Sequence, residues 1–159
     1  MKLSKTNRQK QRLESLAPAV IIGLCFISFS ASVYSQSTSD ASLSAVRASD
    51  QLDRAGKGPT QVTAAEHMRR AAVYMANRAF APAREHWQAV LDEYPNDAGV
   101  PAALYGIARS FYQERRYEEA RQMYERVAHD YPETKEGREG SNFAASSLLR
   151  MGRGAEAAA

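Results

Sequence analysis

The chain has one cysteine, Cys25, in 159 residues, so no disulfide can form within it. Its three histidines, His67, His86 and His129, share no metal-ligand spacing. Neither H-E-x-x-H nor G-x-S-x-G occurs, and no glycine-rich phosphate loop is present. Gly152-x-Gly154 reads as a turn. The acidic neighbours Asp92–Glu93 and Glu118–Glu119 are adjacent in sequence and point apart on a helix. Nothing marks a carboxyl set in an apolar pocket, as a tuned general acid would need. These absences remove the usual signs of a catalytic constellation, so no catalytic residue, metal ligand or cofactor is expected. The longest apolar uncharged run, Ala17–Phe29, also falls short of the roughly 20 residues a spanning helix needs.

Charge of one sign is missing as well, once the chain is divided. The formal net charge is +3. The first 35 residues hold Lys2, Lys5, Arg8, Lys10 and Arg12 against Glu14, which leaves 16 basic and 17 acidic residues for the remainder. The basic character therefore belongs to the beginning of the chain, and no basic stripe argues for nucleic-acid binding. Residues 1–35 run from a basic end through a short apolar core to small polar residues, the layout of a secretory signal. Cleavage before Gln36 or before Val33 fits the small residues there; an uncleaved anchor is the alternative. Leu24 precedes Cys25 where a bacterial lipoprotein would need a small residue, so lipidation is not expected.

Residues 36–62 are rich in Ser, Ala and Asp and poor in apolar side chains. Such a stretch buries too little surface to offset its ordering entropy and reads as a disordered linker. Leu43–Leu52 could form a transient helix, which Gly56, Gly58 and Pro59 would end.

From Thr63 the pattern changes. Leu104, Ile107, Ala108 and Phe111 mark one helical face, Glu114–Arg116 a break, and Tyr117, Ala120, Tyr124 and Val127 a second face that Pro132 stops. The same set recurs 37 residues upstream as Phe80, Ala83, Trp87, Val90, Tyr94 and Pro95, with Tyr74 matching Phe111 and Ala71 matching Ala108. A partial third copy holds Ala145, Leu148, Gly154 and Ala157. Thr63 with Glu66 three residues on has capping-box spacing. Pro82 suits the opening of the next helix, and Trp87 reads as a core anchor between hairpins. Gly137 and Gly140 weaken the start of the third unit. Arg70 stands where Ile107 stands in the second copy, which makes the first unit irregular.

A small–aromatic first helix, then aromatic–x–x–Ala–x–x–x–aromatic and a closing Tyr-Pro, resembles the tetratricopeptide repeat over 63–159, although the period exceeds the usual 34. The resemblance implies an all-α solenoid of about two and a half hairpins, at 63–95, 100–132 and an incomplete 134–159. The last first-helix would then have an uncovered side, which points to a longer solenoid or to a covering partner. Self-pairing there is the route to an oligomer.

In such solenoids the first helices line a concave groove. By position this assigns Tyr105, Arg109, Tyr112 and Gln113 from the second hairpin to partner binding. Ala65, Met68, Ala72 and Met75 would come from the first, and Asn142, Ser146, Leu149 and Arg150 from the third. Tyr105 and Tyr112 have the alternative of packing against the next hairpin. The exported leader and Tyr-Pro ends are similar to those of bacterial envelope repeat proteins. The expectation is a non-enzymatic scaffold for a protein or peptide segment, periplasmic or anchored facing the periplasm, touching membrane only through residues 1–35. The rival expectation is the non-catalytic helical front of a periplasmic lytic transglycosylase or similar cell-wall enzyme.

Overall fold

The computed structural model describes residues 40–59 and 61–157. The expected signal or anchor, with Cys25, lies outside the described residues. Ser42–Ala159 forms one compact unit, to which the helical repeats belong. Among the described residues no helix is long and apolar enough to cross a membrane, and there is no strand.

The helices are α1 (residues 40–54), α2 (Ala64–Ala76), α3 (Phe80–Glu93), α4 (Val100–Gln113), α5 (Tyr117–Asp130), α6 (Lys135–Arg150) and the single turn α7 (Gly154–Ala157). From α2 onward each helix packs on the next, and α4 also touches α6. The result is the expected solenoid of stacked helical hairpins.

Caps and turns follow from local chemistry. The Thr63 hydroxyl accepts the Glu66 backbone N–H at 3.3 Å, and Thr134 accepts that of Gly137 at 3.0 Å. Glu66 does not complete the capping box, because its carboxylate goes to Arg69 and Arg70 instead. Helix α3 starts two residues earlier than Pro82 suggests. Pro82 sits inside the first turn, where a missing N–H costs nothing. Each first helix ends in the same left-handed residue: Arg78 (φ 57°), Arg115 (φ 63°) and Gly152 (φ 77°), 37 residues apart. At each, two backbone N–H groups fold back onto the last turn, as in Ala79 N to Tyr74 O, Arg116 N to Phe111 O and Arg153 N to Leu148 O.

The core alternates with these turns. Ala71, Tyr74, Ala83, Trp87, Val90, Val100, Ala103, Leu104, Ile107 and Val127 form one buried apolar cluster, which the buried Val46 of α1 joins. Ala108, Ala120, Tyr124 and Ala144 form a second. Gly106 lies directly on the Trp87 indole, since a Cβ there would fall 2.5 Å from the ring. Gly140 plays the same part for α6, where a Cβ would come within 2.8 Å of the Tyr124 carbonyl and of Val127. These glycines lower helix propensity, yet they allow closer approach of neighbouring helices than any other residue.

The linker expectation for 36–62 is overturned over residues 40–54. That stretch is helical and docked, with Val46 1% and Asp50 7% exposed. Shifted by 37, Leu43, Val46, Asp50 and Asp53 fall on Phe80, Ala83, Trp87 and Val90. Helix α1 therefore occupies the place of a second helix in the repeat frame, with two aspartates where the other copies carry apolar residues. Their counter-charge is Arg70, the residue that made the first unit irregular. Burial rather than composition decides here: a few apolar contacts plus an ionic network centred on Arg70 order a segment whose composition alone would not.

Candidate functional site

Two features of this unit concentrate chemistry. The first is the buried network between α1 and α2. Arg70, 4% exposed, donates to Asp50 at 2.7 Å, to Asp53, and to Glu66 at 2.8 Å. The Tyr74 hydroxyl donates to Asp50. His86 Nε2 lies 3.3 Å from Asp50, and His86 Nδ1 lies 2.9 Å from His67 Nδ1. One imidazole must donate to the other across that contact, so the pair cannot take two protons without setting two N–H groups face to face. Burial pushes His67 below its ordinary value, and the neighbouring His86 pushes it further. Burial would raise the Asp50 carboxyl, but Tyr74, His86 and Arg70 together hold it below its usual range. Hydrogen bonds from Arg69 first, then Arg70, hold Glu66 down to about 2. Burial and the bond to Asp50 raise the Tyr74 phenol to about 12. Asp50, His86 and His67 are arranged like a proton relay, but they are packed between helices and no nucleophile ends the chain. The network joins α1 to the first hairpin. Among the described residues no three His, Cys, Asp or Glu side chains are grouped to hold a metal ion.

The second feature is a groove of about 650 Å³ between the first helices of successive hairpins. Met68, Ala72, Met75 and Ala76 face it from α2, Arg78 from the turn, and Ala102, Tyr105, Arg109 and Gln113 from α4. Gly106 and Trp87 close its floor. Burial first, then the Glu139 carboxylate beside its hydroxyl, pushes the Tyr105 phenol up to about 12. Its ring also packs edge-on against Tyr124 at 5.4 Å and Phe143 at 6.1 Å, so Tyr105 serves both the groove and the next hairpin.

Of the residues expected to bind a partner, Tyr105, Arg109 and Gln113 are thus brought together, with Met68, Ala72 and Met75 opposite. Tyr112, Asn142 and Arg150 do not line this groove. Tyr112 is drawn into an aromatic cluster, edge-on to Tyr117 at 5.3 Å and to Phe143 at 6.0 Å, and its hydroxyl accepts from Arg150 Nε at 3.3 Å. Asn142 is exposed on α6, and its carbonyl accepts from the Ser146 hydroxyl. Sequence reasoning missed Arg78 and the floor. Trp87 reads as core from its own helix. The signal for its second role was Gly106, a glycine mid-helix one copy below the position of Phe143.

On the side bounded by α3, α4 and α5, the guanidinium groups of Arg84 and Arg116 both lie over the Phe111 ring, each 4.5 Å from its centroid. Arg84 and Arg116 both reach Glu114, at 2.7 and 3.9 Å. That arrangement is internally satisfied and fastens α3 to the turn after α4.

A comparison with protein families matches residues 102–134 to the tetratricopeptide repeat. The match covers the second hairpin, the one carrying Tyr105, Arg109 and Gln113. No match is found among curated proteins.

Proposed function

We propose that the Ser42–Ala159 unit is a non-enzymatic protein-interaction scaffold that receives a peptide segment along the groove between α2 and α4. The carrying observation is the groove itself: an apolar floor rimmed by rotatable polar side chains, set between first helices of stacked hairpins, one of which matches a tetratricopeptide repeat. Tyr and Arg, the residue types enriched where interfaces concentrate binding energy, stand on its α4 wall. The basic, apolar, small-residue order of residues 1–35 supports export, and we place the scaffold in the bacterial cell envelope, facing the periplasm.

A photo-crosslinking side chain at Ala72, exposed and inside the groove, tests the binding reading in the native host against the same side chain at Arg126, exposed on α5. A discrete adduct from position 72 alone, lost on Tyr105→Ala with Arg109→Ala while helical circular dichroism is kept, is the expected result. Equal adducts from both positions would count against the groove. Recovery of the adduct in the cytosolic rather than the envelope fraction would count against the placement.

A further inference from the structure

We infer that the segment this groove accepts is acidic, with an apolar side chain seated between carboxylates. The inference rests on the scaffold reading above and adds the chemistry of its ligand. Its basis is a local imbalance of charge. Several arginines of the surrounding helices hold carboxylates: Arg69 holds Glu66, Arg84 holds Glu114, Arg116 holds Glu119, Arg121 holds Glu118 and Glu125, and Arg153 holds Glu156. Others do not, among them Arg47 and Arg115, which stand outside the groove. What marks the groove is that two such cations share one lining: Arg78 from the turn after α2 and Arg109 from α4, both exposed, neither with a carboxylate partner among the described residues.

No aspartate or glutamate lines the groove at all. Glu139 on α6 lies beside the Tyr105 hydroxyl and pairs with Lys135 at 3.8 Å. The Arg78 guanidinium, on the left-handed turn, lies over the Phe80 ring at 5.6 Å from its centroid. Beside the two cations the lining offers the apolar side chains of Met68, Met75 and Trp87. A ligand that meets this surface well presents carboxylates to the guanidiniums, in paired N–H to oxygen geometry, and an apolar side chain to the floor. The methionines on the α2 wall adapt to side chains of different shape, so the apolar residue is specified by size more than by identity. A basic segment would meet two like charges with no counter-charge to relieve them.

The chain carries its own reporter. Trp87 is its only tryptophan, and it forms the groove floor. A phage-displayed library of random twelve-residue peptides, panned at low salt on the full chain, supplies the probes, and synthetic copies of the enriched peptides are titrated against Trp87 emission. The expected pool carries net negative charge around a Leu, Met or Phe. Its peptides shift Trp87 emission, weaken by about tenfold when Arg78→Gln and Arg109→Gln are combined, and weaken similarly when their Asp and Glu are replaced by Asn and Gln. Raised salt should mimic both changes. Ala72→Trp, placed to fill the groove and followed by calorimetry because it adds a second indole, should abolish binding.

Neutral or basic peptides that shift Trp87 and are blocked by Ala72→Trp would overturn the acidic inference and leave the groove standing. Peptides that bind without shifting Trp87, or in spite of Ala72→Trp, would overturn the groove reading and the inference with it, as would a pool with no enrichment. A response to oligothymidylate alone would reassign the two cations to a phosphate backbone.

Discussion

At the junction of α3 and α4, Trp87, Val90 and Ile107 share one apolar cluster, with the indole pressed on Gly106. At the junction of α1 and α2 the same three places in the 37-residue frame hold Asp50, Asp53 and Arg70, all buried or half-buried. The backbone scarcely distinguishes the two, since the helices stand in register and the first helices end in the same left-handed turn. What differs is how each junction depends on its members. An apolar contact loses in proportion to the atoms removed. A buried ion pair is sound only while every partner remains, because the survivor is left charged in a poor solvent. The polar junction already carries one unmet group, Asp53 Oδ1, buried without a partner. A solenoid can thus keep one geometry while exchanging the chemistry that holds it.

The largest expected effect separates the two junctions by extent. Trp87→Ala should cost about 3–5 kcal/mol and lower the urea midpoint of the whole unit. Asp50→Ala should cost less than the roughly 3–5 kcal/mol of a fully stranded buried charge, because Arg70 keeps Asp53 and Glu66, and the loss should stay local. Native-state amide exchange should quicken across 42–54 while α4 and α5 keep their protection. Asp50→Leu, Asp53→Leu and Arg70→Leu combined should recover much of the single-variant loss, because no charge is then stranded and Glu66 keeps Arg69. If Asp50→Ala loosens α4 and α5 as much as α1, the two junctions are not separable.

A smaller effect comes from pH. His67 is held below its ordinary 6.5 when folded, so the unfolded chain binds a proton in a window where the folded chain does not. Stability therefore falls as pH drops through and below 6.5, and the depressed Asp50 adds a second loss below 3.8. The apolar junction has no such group. Comparing protection of 42–54 with that of 117–130 at pH 7.5 and pH 5.5, after correction for intrinsic exchange, should show loss in the first and not the second. His67→Gln should flatten the difference. Parallel loss in both segments would trace the acid sensitivity elsewhere.

The smallest effect tests what the two regions share. Arg115 adopts a left-handed turn at φ 63°, exposed, where the third copy uses Gly152. Arg115→Gly should stabilise by about 0.5–1 kcal/mol through relief of the Cβ penalty. An unchanged urea midpoint would mean that the penalty is offset in the unfolded chain.

The hairpins were legible in sequence because their markers are large and local. Tyr117, Ala120, Tyr124 and Pro132 lie within one helix and its stop, and they repeat. Helix α1 was not, because its inward face carries only Leu43 and Val46 as apolar residues. Asp50 and Asp53 fit there by virtue of Arg70, a pairing that no periodicity reports. The anomaly at Arg70 was visible; what it lacked was a reason to look upstream for an acid. The groove was half legible for a related reason. Repeat register gives the face on which a residue sits, which places Tyr105, Arg109 and Gln113 correctly opposite Met68, Ala72 and Met75. Register does not give neighbours, so it could not foresee that Phe143 would draw Tyr112 into an aromatic cluster, with Arg150 following its hydroxyl.

The contact between Gly106 and Trp87 has a consequence for timing. A side chain in a floor can swing aside for a guest, whereas a helix backbone seated on an indole cannot. The receiving surface is set before anything arrives, so the entropy lost on docking falls mostly on the incoming segment. Among segments of similar flexibility, preference should then appear less in how fast each one lands than in how long it stays.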